Sequence, residues 1–299
     1  MSVIFKFLLG RLKNYFVHLY RDLRYFYRYS INVSLNRYRL IRRIDSGSMN
    51  DNSKVRLLVF ANLGYRNPSR IVSQAIFSRF FSSIVLSDEY SLKTFFRTHK
   101  YFVRKFRHHG FGLFVWKPLL ILQELQSMDE NDILLYSDSG NHINFKGWKR
   151  WEYYLEIIDR DNVNALFFSA GDPSGAYDVE KLVSQQLVKT YFPNFEKSKC
   201  DFVYAGLLLL KKNGSTMQMI QDWVSLATEE NLEFGRDADN GIFQLVVAKH
   251  RGYFLVEAKE TNLFTATGYQ VKHAMTNEEY KKLNWDALSL MPLQCRRDR

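Results

Sequence analysis

An aspartate at the end of an apolar run is the first residue of this sequence that could do chemistry. The run 132–136 is followed by Ser137, Asp138, Ser139 and Gly140, which are typical turn residues. A buried strand that ends there would bring Asp138 to a sheet edge, where a carboxylate can hold a divalent cation that neutralises a diphosphate. The alternative is that Asp138 only caps the turn through its own backbone.

A second segment, Gly110–Pro118, combines glycines and aromatic residues with Lys117. Pro118 is predicted to start a helix, because the first helical turn does not need the N–H that proline lacks. The free N–H groups and the dipole of a helix start attract phosphate, and Trp116 could stack on a base or a sugar. The alternative is that Trp116 belongs to the core and Lys117 lies in solvent.

Strands that alternate with helices are predicted to position these residues. The sequence predicts strands at 55–61, 83–86, 132–136, 165–168 and 202–210, and helices at 68–81, 118–127, 217–227 and 240–250. This alternation is typical of an α/β fold with a mainly parallel sheet, whose ligand site lies beyond the carboxyl ends of the strands. We therefore expect a single Rossmann-type domain over residues 51–299, preceded by an arm at 1–50.

Taken in order, these segments resemble a family of bacterial GT-A-type glycosyltransferases of capsule and lipopolysaccharide biosynthesis. The strongest motifs are Gly-Phe-Gly-x-x-x-Trp-Lys-Pro at 110–118 and Asp-Ile-Leu-Leu-Tyr-x-Asp-x-Gly at 132–140. Asp-Phe-Val-Tyr-Ala-Gly at 201–206 is similar to the family's acceptor-side strand, and Asp-Asn-Gly-Ile-Phe-Gln at 239–244 to a later helix start. The resemblance extends from about residue 55 to about residue 250 and implies a GT-A-like nucleotide-sugar-binding fold.

The resemblance implies transfer of a sugar from a nucleotide-diphosphate donor to a hydroxyl group of a glycan or glycolipid acceptor. It assigns donor binding to Phe60, Ala61, Asn62, Arg70, Trp116, Lys117 and Asp138. It assigns acceptor binding to Gly206, Asp239 and Asn240, and catalysis to Asp239, as a base, and to Asp138. For Asp239 the alternative is a plain first-turn acid, stabilised by the helix dipole.

The resemblance also implies a divalent cation, Mn²⁺ or Mg²⁺, held by Asp138 with His273 as a second ligand, for which Asn141 and His142 are the alternatives. Gly140 stands where the second acid of an Asp-x-Asp signature would be, so the metal lacks one carboxylate. This departure leaves a second hypothesis open, in which the chain is a non-catalytic member of the fold that binds a nucleotide or glycan or acts as a scaffold.

The basic charge of the chain is concentrated at its start. Residues 1–50 contain ten Lys and Arg against two acids, a surplus of eight, whereas the remaining residues contain 32 against 29, a surplus of three. A nearly neutral body does not favour a nucleic-acid-binding protein, and no nucleic-acid partner is expected.

The basic arm is predicted to form an amphipathic helix. Residues three or four apart form its apolar face: Phe5, Leu8, Leu12, Phe16, Leu19, Leu23 and Phe26. With lysines and arginines opposite, residues 3–29 fit an interfacial helix on an anionic membrane. Packing against the protein itself is the main alternative, and nucleic-acid binding is a weaker one.

Neither the cysteines nor the apolar runs favour secretion or a membrane span. Two cysteines cannot form a disulfide scaffold, and no apolar run reaches the length of a transmembrane helix. No signal peptide is recognised at the start. These features predict a cytoplasmic protein that is peripheral to the inner face of the cell membrane.

Overall fold

The computed structural model describes most of the predicted catalytic body. The described residues are 55–61, 68–106, 110–160, 163–169, 183, 185–191, 193, 203–228, 238–250, 252–256 and 293–294. The predicted arm at 1–50 and two candidate site residues, Asn62 and His273, lie outside this range.

A six-stranded sheet forms the centre of the described chain. In chain order the strands are β1 (Val55–Phe60), β2 (Ser83–Ser87), β3 (Ile133–Asp138), β4 (His142–Ile143), β5 (Ala165–Ser169), β6 (Val203–Lys211), β7 (Tyr253–Val256) and β8 (Leu293–Gln294). The sheet order is β2-β1-β3-β6-β5-β7, while β4 and β8 pair separately. All five predicted strands are therefore present, with ends shifted by one or two residues.

Strand direction brings the ends of two neighbouring strands to one edge. The pairs β1–β2, β1–β3 and β5–β7 are parallel, whereas β6 is antiparallel to both β3 and β5. The predicted α/β class with a mainly parallel sheet is thus confirmed. Because β6 is reversed, its first residues lie beside the last residues of β3, with Ser137 opposite Leu207.

Helices cover both faces of the sheet. They are α1 (Ser69–Ser78), α2 (Lys93–Thr98), α3 (Lys100–Lys105), α4 (Gly110–Leu113), α5 (Trp116–Gln126), α6 (Trp148–Ile158), α7 (Gln185–Tyr191), α8 (Gly214–Thr228) and α9 (Ala238–Lys249), with a 3₁₀ turn at Phe145–Gly147. Alternate residues of a strand point to opposite faces. One face accordingly packs on α5, α8 and α9, and the other on α1 and α6.

The helices agree with the sequence pattern where the apolar stripe is long. Helix α5 begins at Trp116, so Pro118 lies in its first turn, where a missing N–H costs little. The short helices α2, α3 and α4 and the amphipathic helix α6 were not predicted from the sequence. Among the described helices, none is long and apolar enough to cross a membrane.

An ion-pair cluster joins α8 to the end of α9. Asp222 Oδ2 lies 2.6 Å from Lys249 Nζ and 3.0 Å from His250 Nε2, and Gln218 Nε2 donates to Asp222 Oδ1 at 2.9 Å. Burial raises the pKa of Asp222, but the hydrogen bonds from Lys249, Gln218 and His250 outweigh it and lower that pKa from 3.8. A carboxyl group with a lowered pKa stabilises the fold above its unfolded pKa and loses this effect as the pH falls.

We therefore expect Asp222→Asn to lower the free energy of unfolding at pH 7 by about 0.5–1 kcal/mol, because Lys249 is largely exposed and the pair is partly screened. The difference from the unsubstituted protein should shrink below about pH 4, where the aspartate takes up a proton. Urea unfolding followed by circular dichroism, at pH 7 and below about pH 4, measures the difference in unfolding free energy at each pH. A difference that stayed constant with pH would contradict the electrostatic origin.

Candidate functional site

Three charged side chains from distant parts of the chain meet at the edge where β3 ends. Lys117 Nζ in the first turn of α5 lies 2.7 Å from Asp239 Oδ2 in the first turn of α9. The same ammonium lies 3.5 Å from Asp138 Oδ1 at the end of β3. The structure thus brings together the three charged residues that the sequence singled out in separate motifs.

The cluster is buried except at Asp138. The side chains of Lys117 and Asp239 are 2% and 6% exposed, whereas that of Asp138 is 21% exposed. Removing one partner of a buried ion pair typically costs about 3–5 kcal/mol, because the other charge is left uncompensated. Lys117 therefore has a positioning effect on both carboxylates, and Asp138 is the member that a ligand can reach from solvent.

Two tyrosines orient the Asp138 carboxylate. Tyr136 Oη donates a hydrogen bond to Asp138 Oδ1 at 2.8 Å, and Tyr204 Oη donates to Oδ2 at 3.4 Å. Burial raises the pKa of Tyr136 well above its usual value, and the neighbouring Asp138 charge raises it further. The phenol consequently remains a hydrogen-bond donor throughout the physiological pH range. A carboxylate held in this way is suited to accept hydrogen bonds from hydroxyl groups of a ligand.

Backbone contacts tie the predicted acceptor-side residues to the same place. Asn240 Oδ1 accepts a hydrogen bond from the Ala205 backbone N–H at 3.0 Å, which fixes the start of α9 on β6. Asn141 Nδ2 donates to the Gly206 carbonyl at 2.8 Å, which fixes the turn after β3 on the same strand. Gly206 and Asn240 therefore lie beside the charged cluster, and their role on the acceptor side stays a prediction.

A strained turn delivers Lys117 to the cluster. Gly112 has a φ of 93°, and the next two residues, Leu113 and Phe114, also have positive φ values, of 53° and 59°. Such conformations are uncommon for non-glycine residues and cost about 1–3 kcal/mol each, so they persist where surrounding contacts impose them. The Phe114 ring lies 5.0 Å from Lys117 Nζ, close enough for a cation–π contact.

Trp116 is placed in the core. Its ring stacks on Phe60 with centroids 3.8 Å apart, and its Nε1 donates to the Gly110 carbonyl at 3.0 Å. Both rings are buried, and the adjacent Ala61 is buried as well, with its N–H bonded to the Ser87 carbonyl. One face of the Trp116 ring is thus covered by Phe60. Phe60, Ala61 and Trp116 form part of the core behind the cluster.

Arg70 lies at the turn that follows Asp138. Its Nη2 donates to the carbonyls of Ser139 at 3.3 Å and Gly140 at 3.1 Å, and its Nη1 contacts His142 Nε2. Gln74 holds the other ring nitrogen of this histidine at 3.2 Å. A half-buried guanidinium is therefore fixed beside the carboxyl end of β3.

The described residues do not form a cradle for a divalent cation. No group of three or more His, Cys, Asp or Glu side chains suitable for a metal occurs within the described part of the chain. Asp138 Oδ1 lies 3.5 Å from the Lys117 ammonium group, which repels a dication. Asn141 Oδ1 is buried without a hydrogen-bond partner, but one amide oxygen does not complete the oxygen shell that Mg²⁺ or Ca²⁺ requires.

Two features of the site were missed from the sequence alone. Tyr136 and Tyr204 each precede a predicted site residue by two positions, on the same strand. The two-residue period of a strand could have flagged Tyr136 as a neighbour of Asp138. The contact between Lys117 and Asp239 joins residues 122 positions apart, and no local pattern signals it.

Comparison with known proteins gives similarity in structure only. No protein-family model matches the chain, and no curated protein matches it in sequence. Its structure is similar to a glycosyltransferase involved in the glycosylation of the major capsid of PBCV-1, at 11% identity, a TM-score of 0.43 and coverage of 74% of this chain and 91% of the other.

Two further solved structures are similar to a comparable degree. They are the galactosyltransferase LgtC with donor and acceptor sugar analogs (13% identity, TM-score 0.40, 81% and 87% coverage), and mouse xyloside xylosyltransferase 1 (8%, 0.39, 83% and 94%). At identities and TM-scores this low, the similarity carries no conclusion about activity or substrate, which must come from the site itself.

Replacing Gly206 by alanine tests whether the arrangement around Asp138 is as tight as the structure indicates. A Cβ at Gly206 would lie 2.4 Å from the Tyr204 ring and 2.6 Å from Asp138 Oδ2, so both groups would have to move. We expect Gly206→Ala to lower ligand binding strongly while unfolding remains cooperative. Calorimetric titration with nucleotide sugars and urea unfolding measure the two effects.

Gly214→Ala is the matched control for this substitution, because nothing lies within 4 Å of the added Cβ. It also begins α8, where alanine is tolerated at least as well as glycine. Equal ligand binding by the two variants would show that the space beside Asp138 is not critical.

Proposed function

We propose that the chain is a glycosyltransferase that moves a sugar from a nucleotide-diphosphate donor to a hydroxyl group of a glycan acceptor. The observation that carries this proposal is the meeting of Lys117, Asp138 and Asp239 at one sheet edge. These residues come from three separate motifs by which the sequence resembles GT-A-type glycosyltransferases. A chance resemblance of isolated motifs would not require their charged residues to converge.

In this proposal, Asp138 binds the donor sugar and Asp239 acts on the acceptor. Asp138 is the partly exposed carboxylate and accepts hydrogen bonds from donor hydroxyls, oriented by Tyr136 and Tyr204. Asp239 takes the proton of the acceptor hydroxyl as that oxygen forms a bond to the anomeric carbon, which requires the acceptor to reach past Asp138 to a carboxylate that is 6% exposed in this structure. The bond from the anomeric carbon to the diphosphate oxygen breaks, and the nucleoside diphosphate leaves with its electron pair.

Arg70 is proposed to face the diphosphate of the donor. Its guanidinium lies at the turn after Asp138, where it already binds the Ser139 and Gly140 carbonyls. Arginine is suited to phosphate groups because its planar fork donates several hydrogen bonds and remains charged. Phe60, Ala61 and Trp116 would support this pocket from the core side, and Gly206 and Asn240 would border the acceptor.

The setting of the reaction is proposed from the sequence. A basic amphipathic arm at residues 3–29 would hold the enzyme at the cytoplasmic face of a membrane, where a lipid-linked acceptor is found. A lipopolysaccharide or capsule intermediate is such an acceptor, in keeping with the family that the motifs resemble. Under this proposal the nearly neutral body performs the transfer, and the arm determines its location.

Substitution of each carboxylate by its amide tests the proposed roles. We expect Asp138→Asn and Asp239→Asn each to lower release of nucleoside diphosphate from a nucleotide sugar by about 10²–10⁴-fold, the range typical of a positioned acid or base. The measurement is a coupled assay over a panel of nucleotide sugars, supplied with candidate glycan acceptors.

Asp159→Asn is the matched control, because Asp159 is an exposed acid at the end of α6. Its activity should equal that of the unsubstituted chain. Full activity of the Asp138 and Asp239 variants would refute their assignments. Tight binding of a nucleotide sugar without turnover of any donor would instead support the non-catalytic alternative, for which Gly140 in place of a second acid is the sequence argument.

A further inference from the structure

The charges of the cluster bear on whether the proposed transferase needs a metal ion. Two carboxylates, Asp138 and Asp239, share the single ammonium of Lys117, which is buried between them. Lys117 lies in the first turn of α5, where the positive end of the helix dipole disfavours a cation. The two carboxylates offset this effect. The position between the two acids is thus already filled by a positive charge belonging to the chain.

We propose that Lys117 occupies, as a fixed ammonium, the place beside Asp138 that the family resemblance gives to a divalent cation, and that the site binds its donor without a metal. This proposal rests on the transferase function proposed above. The ammonium compensates Asp239 and Asp138 Oδ1, while Asp138 Oδ2, which accepts a hydrogen bond from Tyr204 at 3.4 Å, is the oxygen proposed to accept hydrogen bonds from donor hydroxyl groups. A lysine differs from a metal in that it neither needs to be loaded nor is removed by a chelator.

Manganese binding measured by electron paramagnetic resonance tests this proposal without an activity assay. In the unsubstituted full-length chain we expect no saturable Mn²⁺ binding that depends on Asp138, so Asp138→Asn should leave the Mn²⁺ signal unchanged. Lys117→Met removes the ammonium but leaves both carboxylates, and we expect it to gain Mn²⁺ affinity of about tenfold or more through the two oxygen ligands. Lys117→Arg, which retains the charge, should not gain it.

Lys249→Met is the matched control, because Lys249 also pairs with an aspartate, Asp222, on another part of the surface. It should not gain Mn²⁺ binding. Should Lys117→Met fail to fold by circular dichroism, the unsubstituted chain still decides the question: Mn²⁺ binding that depends on Asp138 would overturn the proposal.

Nucleoside diphosphate binding separates this proposal from the proposed function. Uridine, guanosine, adenosine and cytidine diphosphates are titrated into the chain in EDTA and in Mn²⁺. If one of them binds with the same affinity in both buffers, within about twofold, the result supports Lys117 as the cation of a site that needs no metal. Binding that requires Mn²⁺ overturns it and leaves the transferase proposal standing. Binding in neither buffer contradicts the transferase proposal, while the manganese measurement still tests the role of Lys117.

An independent observation concerns an aromatic patch on the opposite helix layer. We define the aromatic patch as Ile76, Phe77, Phe145 and Trp148, which are 40%, 68%, 45% and 45% exposed. Phe77 at the end of α1 contacts Phe145 edge-to-face at 4.9 Å, and Trp148 follows Phe145 by one helical turn. Large apolar side chains exposed together indicate a surface that meets something other than water.

The charges around the aromatic patch identify an anionic partner. Within three residues of the four patch members along the chain, the sequence holds four bases, Arg79, Lys146, Lys149 and Arg150, and no acid, and Glu152 follows about one helical turn after Trp148. Lys146 and Lys149 are exposed, and Lys149 Nζ lies 5.5 Å from the Trp148 ring centroid. Cores of protein–protein interfaces are depleted of lysine, whereas tryptophan together with lysine is typical of a membrane–water boundary.

We infer that the aromatic patch rests on an anionic membrane surface. Helix α1 links the patch to the site, because Arg70 near its start binds the turn after Asp138 and Phe77 lies near its end. Its ten residues span about 15 Å, so a bilayer that contacts the patch lies close to the site edge. This contact would orient the body, which an arm alone does not do.

Quenching of tryptophan fluorescence by brominated lipids tests this inference in the full-length chain. With vesicles of phosphatidylcholine and phosphatidylglycerol, we expect quenching in the unsubstituted chain and none in Trp148→Phe. The double variant Phe77→Ser with Phe145→Ser should bind the vesicles with about tenfold lower affinity. Tyr90→Ser with Tyr101→Ser is the matched control, because these rings are 50% and 76% exposed elsewhere.

Two results would overturn the inference. Quenching that persists in Trp148→Phe would place another tryptophan, and not the aromatic patch, in the bilayer. An oligomer that light scattering detects in the unsubstituted chain, and that Phe77→Ser with Phe145→Ser dissociates, would show that a second copy covers the patch.

Discussion

The buried ion pair between Lys117 and Asp239 is the interaction on which the site depends. It holds the first turns of α5 and α9 together, although both helix starts carry partial positive charge and Lys117 adds to it. The acids at the end of β3 and the start of α9 compensate the buried cation at the start of α5, and the rings of Phe114 and Tyr136 add cation–π contacts. The relative placement of three elements thus follows from one desolvated lysine.

The reversed strand β6 brings the remaining parts of the site to this ion pair. Because it runs antiparallel to β3, its residues Tyr204, Ala205 and Gly206 lie beside Asp138 at the edge where β3 ends. A parallel strand would have placed them at the opposite edge. Asn240 and Asn141 then bind the backbone of these residues, so the start of α9 and the turn after β3 are both fixed on β6.

The sequence predicted the strands and helices better than the contacts between them. Buried strands such as β1 and β3 are short apolar runs, and local pattern finds these without tertiary information. The three charged residues could be singled out because each lies at the start or the end of a predicted strand or helix: Lys117, Asp138 and Asp239. Their contact could not be predicted, since it depends on the direction of β6 and on the strained turn at Leu113 and Phe114. Local spacing carries neither.

The net charge of the cluster limits what can lie over it. Among the described residues, the two carboxylates and one ammonium of the cluster leave one negative charge, and the partly exposed carboxylate is that of Asp138. A diphosphate placed there would be repelled, whereas sugar hydroxyls would find an acceptor. The nearest described cation beside the same turn is Arg70. In the proposed reaction the donor therefore lies with its sugar over Asp138 and its diphosphate toward Arg70.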